Sequence, residues 1–177
     1  MHRDARHGGY PSATGRLGRR LVLVLFAADR SSDILAGRSF GPVRSAADVY
    51  RLLGPRAAKE RVENAWIVLL DVHGHLNGTR RIARGYYDSV GFELSEALRP
   101  AQSAGVRYLV LAHNHPSGSA VPSSDDAELT FQVEQAAYQS GLYLLDHVVL
   151  GLNEYYSFRE RGLFVVEKSG QVVRMAA

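Results

Sequence analysis

His113-Asn114-His115-Pro116-Ser117-Gly118-Ser119-Ala120-Val121-Pro122-Ser123-Ser124-Asp125-Asp126 is the stretch on which the reading of this chain turns. It follows an apolar run from Val106 to Leu111, broken only by Arg107 and Tyr108, that reads as a buried strand. Strand side chains repeat every two residues, so His113 and His115 project from one face and can hold one ion between them. Pro116 restricts His115 to extended backbone and ends the ladder, and Ser117-Gly118 supplies a turn. Ser123 is then placed as a helix N-cap, which puts Asp126 in the first helical turn as a third ligand. Each feature has an ordinary reading: a strand-end histidine is usually a satisfied polar residue, and Ser-x-x-Asp is usually a capping box. Their conjunction between a strand and a helix is what points to a metal.

Outward from this stretch, the chain alternates strands and helices. Upstream, Leu21–Phe26 reads as a strand, and Ser45 with Asp48 opens a helix carrying Val49, Leu52 and Leu53. Gly54-Pro55 is expected to interrupt that helix, with Arg56–Val62 resuming as helix or turn. Ala65–Asp71, containing Trp66, Ile67, Val68, Leu69 and Leu70, is a buried strand. A returning strand is expected over Thr79–Gly85, and a helix over Glu93–Ser103 with Leu94, Ala97, Leu98 and Ala101 on one side and Pro100 as a local fault. Downstream, Ser124–Ser140 is an amphipathic helix with Leu129, Val133, Ala136 and Ala137 in a stripe, stopped by Gly141. Leu142–Leu150 is a strand carrying Asp146-His147, and Tyr155–Phe158 and Phe164–Arg174 are expected to add one or two edge strands. The sum is an α/β architecture of three layers around a single mixed sheet.

A second H-x-H, His73-Gly74-His75, sits among turn residues with no third ligand nearby, and is read as a loop rather than a site. Asp146-His147 is open to two readings, a contact that orients a ligand imidazole or an ordinary buried hydrogen-bonded pair. His147 is not expected to be a ligand.

Composition removes whole classes of function. The 177 residues contain no cysteine, which excludes disulfides, thiolate metal sites and the C-x-x-C pair of zinc deaminases. Any zinc must be held by His, Asp or Glu. No run reaches the ~18 apolar residues that a membrane span needs. Leu21–Ala28 behind Arg19-Arg20 lacks a clear small-x-small cleavage site and reads as a strand, so a cytoplasmic location is expected. Net charge is +3, yet residues 1–30 carry six arginines against Asp4 and Asp29, a local +4. The basicity therefore belongs to a flexible arm, residues 1–20, ahead of one domain at 21–177. Such an arm is ordinarily solvated, and its alternative use is contact with nucleic acid phosphates.

Three protein ligands and an open fourth position describe a catalytic zinc. Two neutral imidazoles and one carboxylate leave the site with about one net positive charge, which lowers the pKa of a bound water. A glutamate from another segment is then needed as general base. Glu60, Glu63, Glu93 and Glu96 are candidates, and periodicity selects none of them. Ser123 can add a hydroxyl donor to a developing oxyanion, in competition with its role as a cap.

At His113, His115, Pro116, Pro122, Ser123 and Asp126, the pattern H-x-H-P-x5-P-S-x-x-D resembles the JAMM (MPN+) metalloprotease motif. The string His113–Gly118 is similar to the bacterial RadC branch of that family. So are Leu145–Gly151, Ser157–Gly162, and Glu63 ahead of a strand ending in Asp71, a similarity spanning about residues 43–166. The resemblance implies a JAB/MPN domain with a cytidine-deaminase-like sandwich. It also implies a zinc-dependent hydrolase of amide or isopeptide bonds. His113, His115 and Asp126 would be ligands, Glu63 the general base and Ser123 the oxyanion helper. Implied substrates are peptides or isopeptide-linked proteins, ubiquitin-like ones among them.

Phe92-Glu93 stands where typical members carry Arg-Glu, and Gly85-Tyr86-Tyr87 replaces a Gly-Thr-[Leu/Ile] pattern, departures that touch substrate recognition and not the ligands. The family's N-terminal helix-hairpin-helix region has no counterpart in this sequence, so DNA affinity is not carried over with it. A DNA-associated accessory role in repair or mobile elements, using the arginine-rich arm, is the alternative function.

Overall fold

The computed structural model describes residues 23–25, 40–86, 94–166 and 172–175. The arm at 1–20 and the departures at Tyr87 and Phe92-Glu93 lie outside them. Six strands form one sheet in the order β1-β3-β2-β4-β5-β6: β1 (Leu23–Leu25), β2 (Asn64–Leu70), β3 (Leu76–Tyr86), β4 (Tyr108–Asn114), β5 (Tyr143–Leu150) and β6 (Tyr155–Ser157). Only β4 and β5 run parallel, joined by the crossover helix α3 (Ser124–Gln139). Helix α1 (Ala46–Ala57) and helix α2 (Leu94–Ser103) complete the elements that cover the sheet.

The central strands are buried on both faces and read as unbroken apolar runs for that reason. On β2, Ala65, Ile67 and Leu69 join a core with Leu98 and Ala101 of α2 and Leu129, Val133 and Ala137 of α3. Trp66, Val68 and Leu70 point the other way, into a core with Val49, Leu52, Leu53 and Ala57 of α1. These are the three expected layers. Helix α1 starts on a complete capping box, in which Ser45 and Asp48 satisfy each other's backbone N–H.

Two expectations are corrected. Gly54-Pro55 does not interrupt α1, which runs through both residues to Ala57. Pro55 is in the last turn on the exposed side, and the carbonyl it orphans belongs to Arg51, itself exposed, so water replaces the lost bond. Gly54 is buried beneath Tyr50, whose ring would lie 3.1 Å from an added Cβ. The Phe164–Arg174 segment does not extend the main sheet. It forms a separate antiparallel pair, β7 (Phe164–Val166) with β8 (Val172–Met175), because β6 is only three residues long and Arg159–Leu163 turns the chain away after it. Among smaller differences, β3 begins at Leu76, ahead of the expected Thr79.

Among the described residues no helix is long and apolar enough to cross a membrane.

Candidate metal centre

Antiparallel pairing brings the start of β2 beside the end of β4, with Ala65 opposite His113. The residue just before β2 is Glu63, and the residue just beyond β4 is His115. Helix α3 then begins over the same corner. As a result Glu63, His113, His115 and Asp126 each present one ligand atom, all within 4.8 Å of one another, the one such group among the described residues. His113 and Asp126 are fully buried, Glu63 nearly so, and His115 forms the partly open side.

His113 Nε2 lies 3.0 Å from His115 Nε2, 3.0 Å from Asp126 Oδ1 and 3.7 Å from Glu63 Oε1. His115 Nε2 lies 3.5 Å from Asp126 Oδ2. His115 Nδ1 is 2.9 Å from the carbonyl of Ser119, an acceptor only, so the Nδ1 carries hydrogen and the neutral ring's Nε2 lone pair faces inward. Asp126 Oδ1 is buried without a hydrogen-bond partner. Lone pairs converging at hydrogen-bond distance with too few hydrogens between them repel unless a cation sits among them. Two imidazole nitrogens and carboxylate oxygens are a donor set that suits a divalent transition metal.

Without metal, a proton on His115 answers part of that need. The hydrogen bond to Asp126, followed by the charges of Asp126 and Glu63, raises the His115 pKa against the opposing effect of burial. Burial would push the Asp126 carboxyl up, but the two imidazoles and the Ser123 N–H outweigh it and hold the group well below the usual carboxylate range.

Ser123 is the N-cap of α3, as expected, and its capping box is complete. Its N–H and hydroxyl donate to Asp126 Oδ2 at 2.6 and 2.8 Å, and its oxygen accepts from the Asp126 N–H at 3.3 Å. The cap therefore also orients the carboxylate, since two short contacts to Oδ2 hold Asp126 in the rotamer that aims Oδ1 at His113.

Of the four glutamates open as bases, Glu63 is the one that joins the cluster among the described residues. Glu60 faces Arg81 at 4.0 Å, Glu96 is carried on α2, and Glu93 is outside the described residues. His73 and His75 sit in the β2–β3 turn, at the far end of β2 from Glu63, where Asp71 Oδ1 accepts both backbone N–H groups at 2.8 Å. They are exposed turn residues, as read from the sequence.

Sequence reasoning missed Asn114. Its side chain leaves the strand on the face opposite the two ligands and bridges to the segment that carries Glu63. Asn114 Oδ1 accepts from the Asn64 N–H at 2.9 Å, and Nδ2 donates to the Val62 carbonyl at 3.2 Å. Alternation placed it opposite the ligands, but no local signal names a partner fifty residues away. Thr130 was also missed, although one helical turn after Asp126 it must share that residue's face. Its hydroxyl is 2.6 Å from His147 Nδ1, and His147 Nε2 is 2.8 Å from His113 Nδ1. Asp146 and His147 thus separate: His147 reaches the His113 imidazole, while Asp146 accepts from the Ser157 hydroxyl and the backbone of His147 and Arg159 on the other face.

Residues 43–163 match the model of the RadC-like JAB domain. A UPF0758 protein of Symbiobacterium thermophilum is 33% identical over 168 residues, covering 82% of this chain and 72% of its own. Others, from Rubrobacter xylanophilus and Carboxydothermus hydrogenoformans, are 37% and 33% identical over 146 and 117 residues. The chain spans 64% and 52% of these last two, so much of their length has no match here. A domain match over residues 43–163, with the four-residue cluster lying inside it, makes this chain a member of the RadC-like JAB domain family.

Proposed function

We propose that this domain is a zinc-dependent hydrolase of the JAMM type, cleaving amide or isopeptide bonds of protein substrates. One observation carries the reading: Glu63, fifty residues from His113 in sequence, lies with its carboxylate 3.7 Å from His113 Nε2 and is almost fully buried. A buried carboxylate at this position suits a proton carrier better than a structural ion pair, because a base is useful only beside the reacting water.

A zinc ion held by His113, His115 and Asp126 would supply Lewis-acid activation of a water molecule, bringing its pKa toward neutrality. Glu63 is placed to accept a proton from a water held at that site and would return it to the leaving nitrogen, base first and acid second. The Ser123 hydroxyl has one hydrogen, now given to Asp126 Oδ2. To serve as oxyanion donor it turns that hydrogen to the substrate oxygen as charge develops there, while its N–H keeps Asp126 in place. Peptides and isopeptide-linked proteins, ubiquitin-like ones included, are the substrates in this reading.

The test is metal analysis paired with cleavage of a peptide and isopeptide panel. The wild-type chain is expected to hold one zinc, Asp126→Ala to lose it, and Glu63→Gln to keep it while cleavage falls by at least ~100-fold. Full zinc occupancy with no cleavage of any member of the panel counts against a hydrolase, and cleavage surviving in Glu63→Gln removes the glutamate from the mechanism.

A further inference from the structure

We infer that Thr130 and His147 form a relay that fixes the tautomer of His113, holding its Nε2 as a bare lone pair before any metal arrives. The inference deepens the metal reading and concerns positioning residues, neither of which reaches the cluster itself. It begins at a contact whose hydrogen can be assigned without ambiguity. Thr130 Oγ1 lies 2.6 Å from the carbonyl oxygen of Asp126, one turn back on α3. A carbonyl only accepts, so the single hydroxyl hydrogen is committed to it.

The rest follows by donor and acceptor count. Thr130 Oγ1 is also 2.6 Å from His147 Nδ1, and with its own hydrogen spent it can only accept there. His147 therefore carries hydrogen on Nδ1. His147 is fully buried, with a hydroxyl at one ring nitrogen and an imidazole at the other, so a second ring hydrogen would place an uncompensated charge in that interior. A neutral imidazole with hydrogen on Nδ1 has a bare Nε2, which lies 2.8 Å from His113 Nδ1. That bond then requires hydrogen on His113 Nδ1. What remains at His113 is an Nε2 lone pair, and it faces His115 Nε2, Asp126 Oδ1 and Glu63 Oε1.

A threonine hydroxyl bonded four residues back is routine in helices and by itself signifies nothing. The second acceptor role toward a buried imidazole is not routine, and His147 has no freedom to avoid it. Its ring is stacked on the buried Phe158, with centroids 5.0 Å apart and planes 7° from parallel. Ring plane and hydrogen placement are thus both set. The relay starts at the backbone of Asp126 and ends at the ring of His113, so one ligand fixes the hydrogen on another. Partners of this kind around a metal typically change affinity by about 10–100-fold when removed.

The experiment uses the full chain labelled with nitrogen-15, in the metal-free state in mildly alkaline buffer, with tautomers read from imidazole nitrogen shifts and two-bond couplings. His113 and His147 are both expected to carry hydrogen on Nδ1. Thr130→Val, equal in shape, is expected to leave His113 as a tautomer mixture and to weaken zinc binding by about tenfold or more in competition with a chromophoric chelator. Thr130→Ser, which keeps the hydroxyl, is expected to restore both readouts, and this separates the relay from simple loss of packing. Hydrogen on His113 Nε2 in the wild type overturns the inference. So does a Thr130→Val protein with an unchanged His113 spectrum and zinc affinity within about twofold. A chain with the expected tautomers that binds zinc but cleaves nothing leaves the relay standing and removes only the hydrolase reading.

Discussion

Asn114→Ala tests whether the strand that carries the ligands also positions the base. Asn114 and Asn64 are both buried, and the Asn64 N–H gives its hydrogen to Asn114 Oδ1 at 2.9 Å. After truncation that N–H is enclosed without a partner, a loss of about 1–3 kcal/mol. The second bond, from Asn114 Nδ2 to the Val62 carbonyl, is partly backed up. Asn64 Nδ2 reaches the same oxygen at 2.8 Å, so its removal adds only about 0.5 kcal/mol. The expected destabilisation is therefore roughly 1.5–3.5 kcal/mol in urea unfolding, with an unchanged slope.

The consequences for metal and for cleavage should diverge. His113, His115 and Asp126 have other supports, in the β4 ladder, the Ser119 carbonyl and the α3 cap, and none of these uses the Asn114 side chain. Zinc affinity in a chelator competition should stay within about threefold. Glu63 is different, because its segment is tied to β4 through Val62 and Asn64 on either side of it. Cleavage should fall by about 10–100-fold, since a base out of reach forfeits most of the 10²–10⁴ that general base catalysis contributes. A variant of unchanged stability, or one whose zinc affinity falls in step with its activity, would refute the division of labour.

Two further substitutions probe the surroundings of the site. At Gly151 an added Cβ would lie 2.6 Å from the Gly118 carbonyl and 2.9 Å from the Ala120 N–H, both backbone. Gly151→Ala should therefore displace the loop that carries Ser119, the partner of His115 Nδ1, and weaken zinc binding by roughly tenfold in the same competition assay. Asp146 has its pKa pushed up to about 6 by burial, against hydrogen bonds from Ser157, Arg159 and His147. The folded-state value is the raised one, so its stability contribution is complete below about 3.8 and is lost as pH rises through about 6, a difference of roughly 3 kcal/mol. Asp146→Asn should remove that dependence, seen as a stability difference from wild type that opens between about pH 4 and pH 6 and stays constant above.

The clustering of the proposed ligands was legible because their geometry is local. A strand end, a proline turn and a capped helix start bring His113, His115 and Asp126 together within fourteen residues, and each step has its own residue signature. The base was not legible in this way. Glu63 reaches the cluster only through the pairing of β2 with β4, and among four glutamates spacing selected none; the family resemblance named it. The two corrected elements have the same origin. Pro55 is tolerated because it lies on the exposed side of the last turn, four residues after the exposed Arg51, and Phe164–Arg174 leaves the sheet because of the turn before it. Both depend on what surrounds a segment, which its own pattern does not contain.

Asp146-His147 shows how a single backbone irregularity decides which chemistry a dipeptide serves. Regular alternation from Leu144, which packs in the core under α2 and α3, would turn Asp146 toward that face and His147 away from it. Against β4, however, Leu109 pairs with Leu144 and Val110 with Asp146, so Leu145 is an extra residue, a β-bulge. Leu145 and Asp146 consequently face the α1 side, where the carboxylate ties down the turn after β6 through Ser157 and Arg159. His147 and Val149 return to the other face, opposite Leu111 and His113. Without the bulge, a carboxylate would stand behind His113, and no imidazole would meet Thr130. The extra residue on β5 thus places a neutral hydrogen-bonding ring behind the ligand, and keeps the negative charge of the cluster to Glu63 and Asp126.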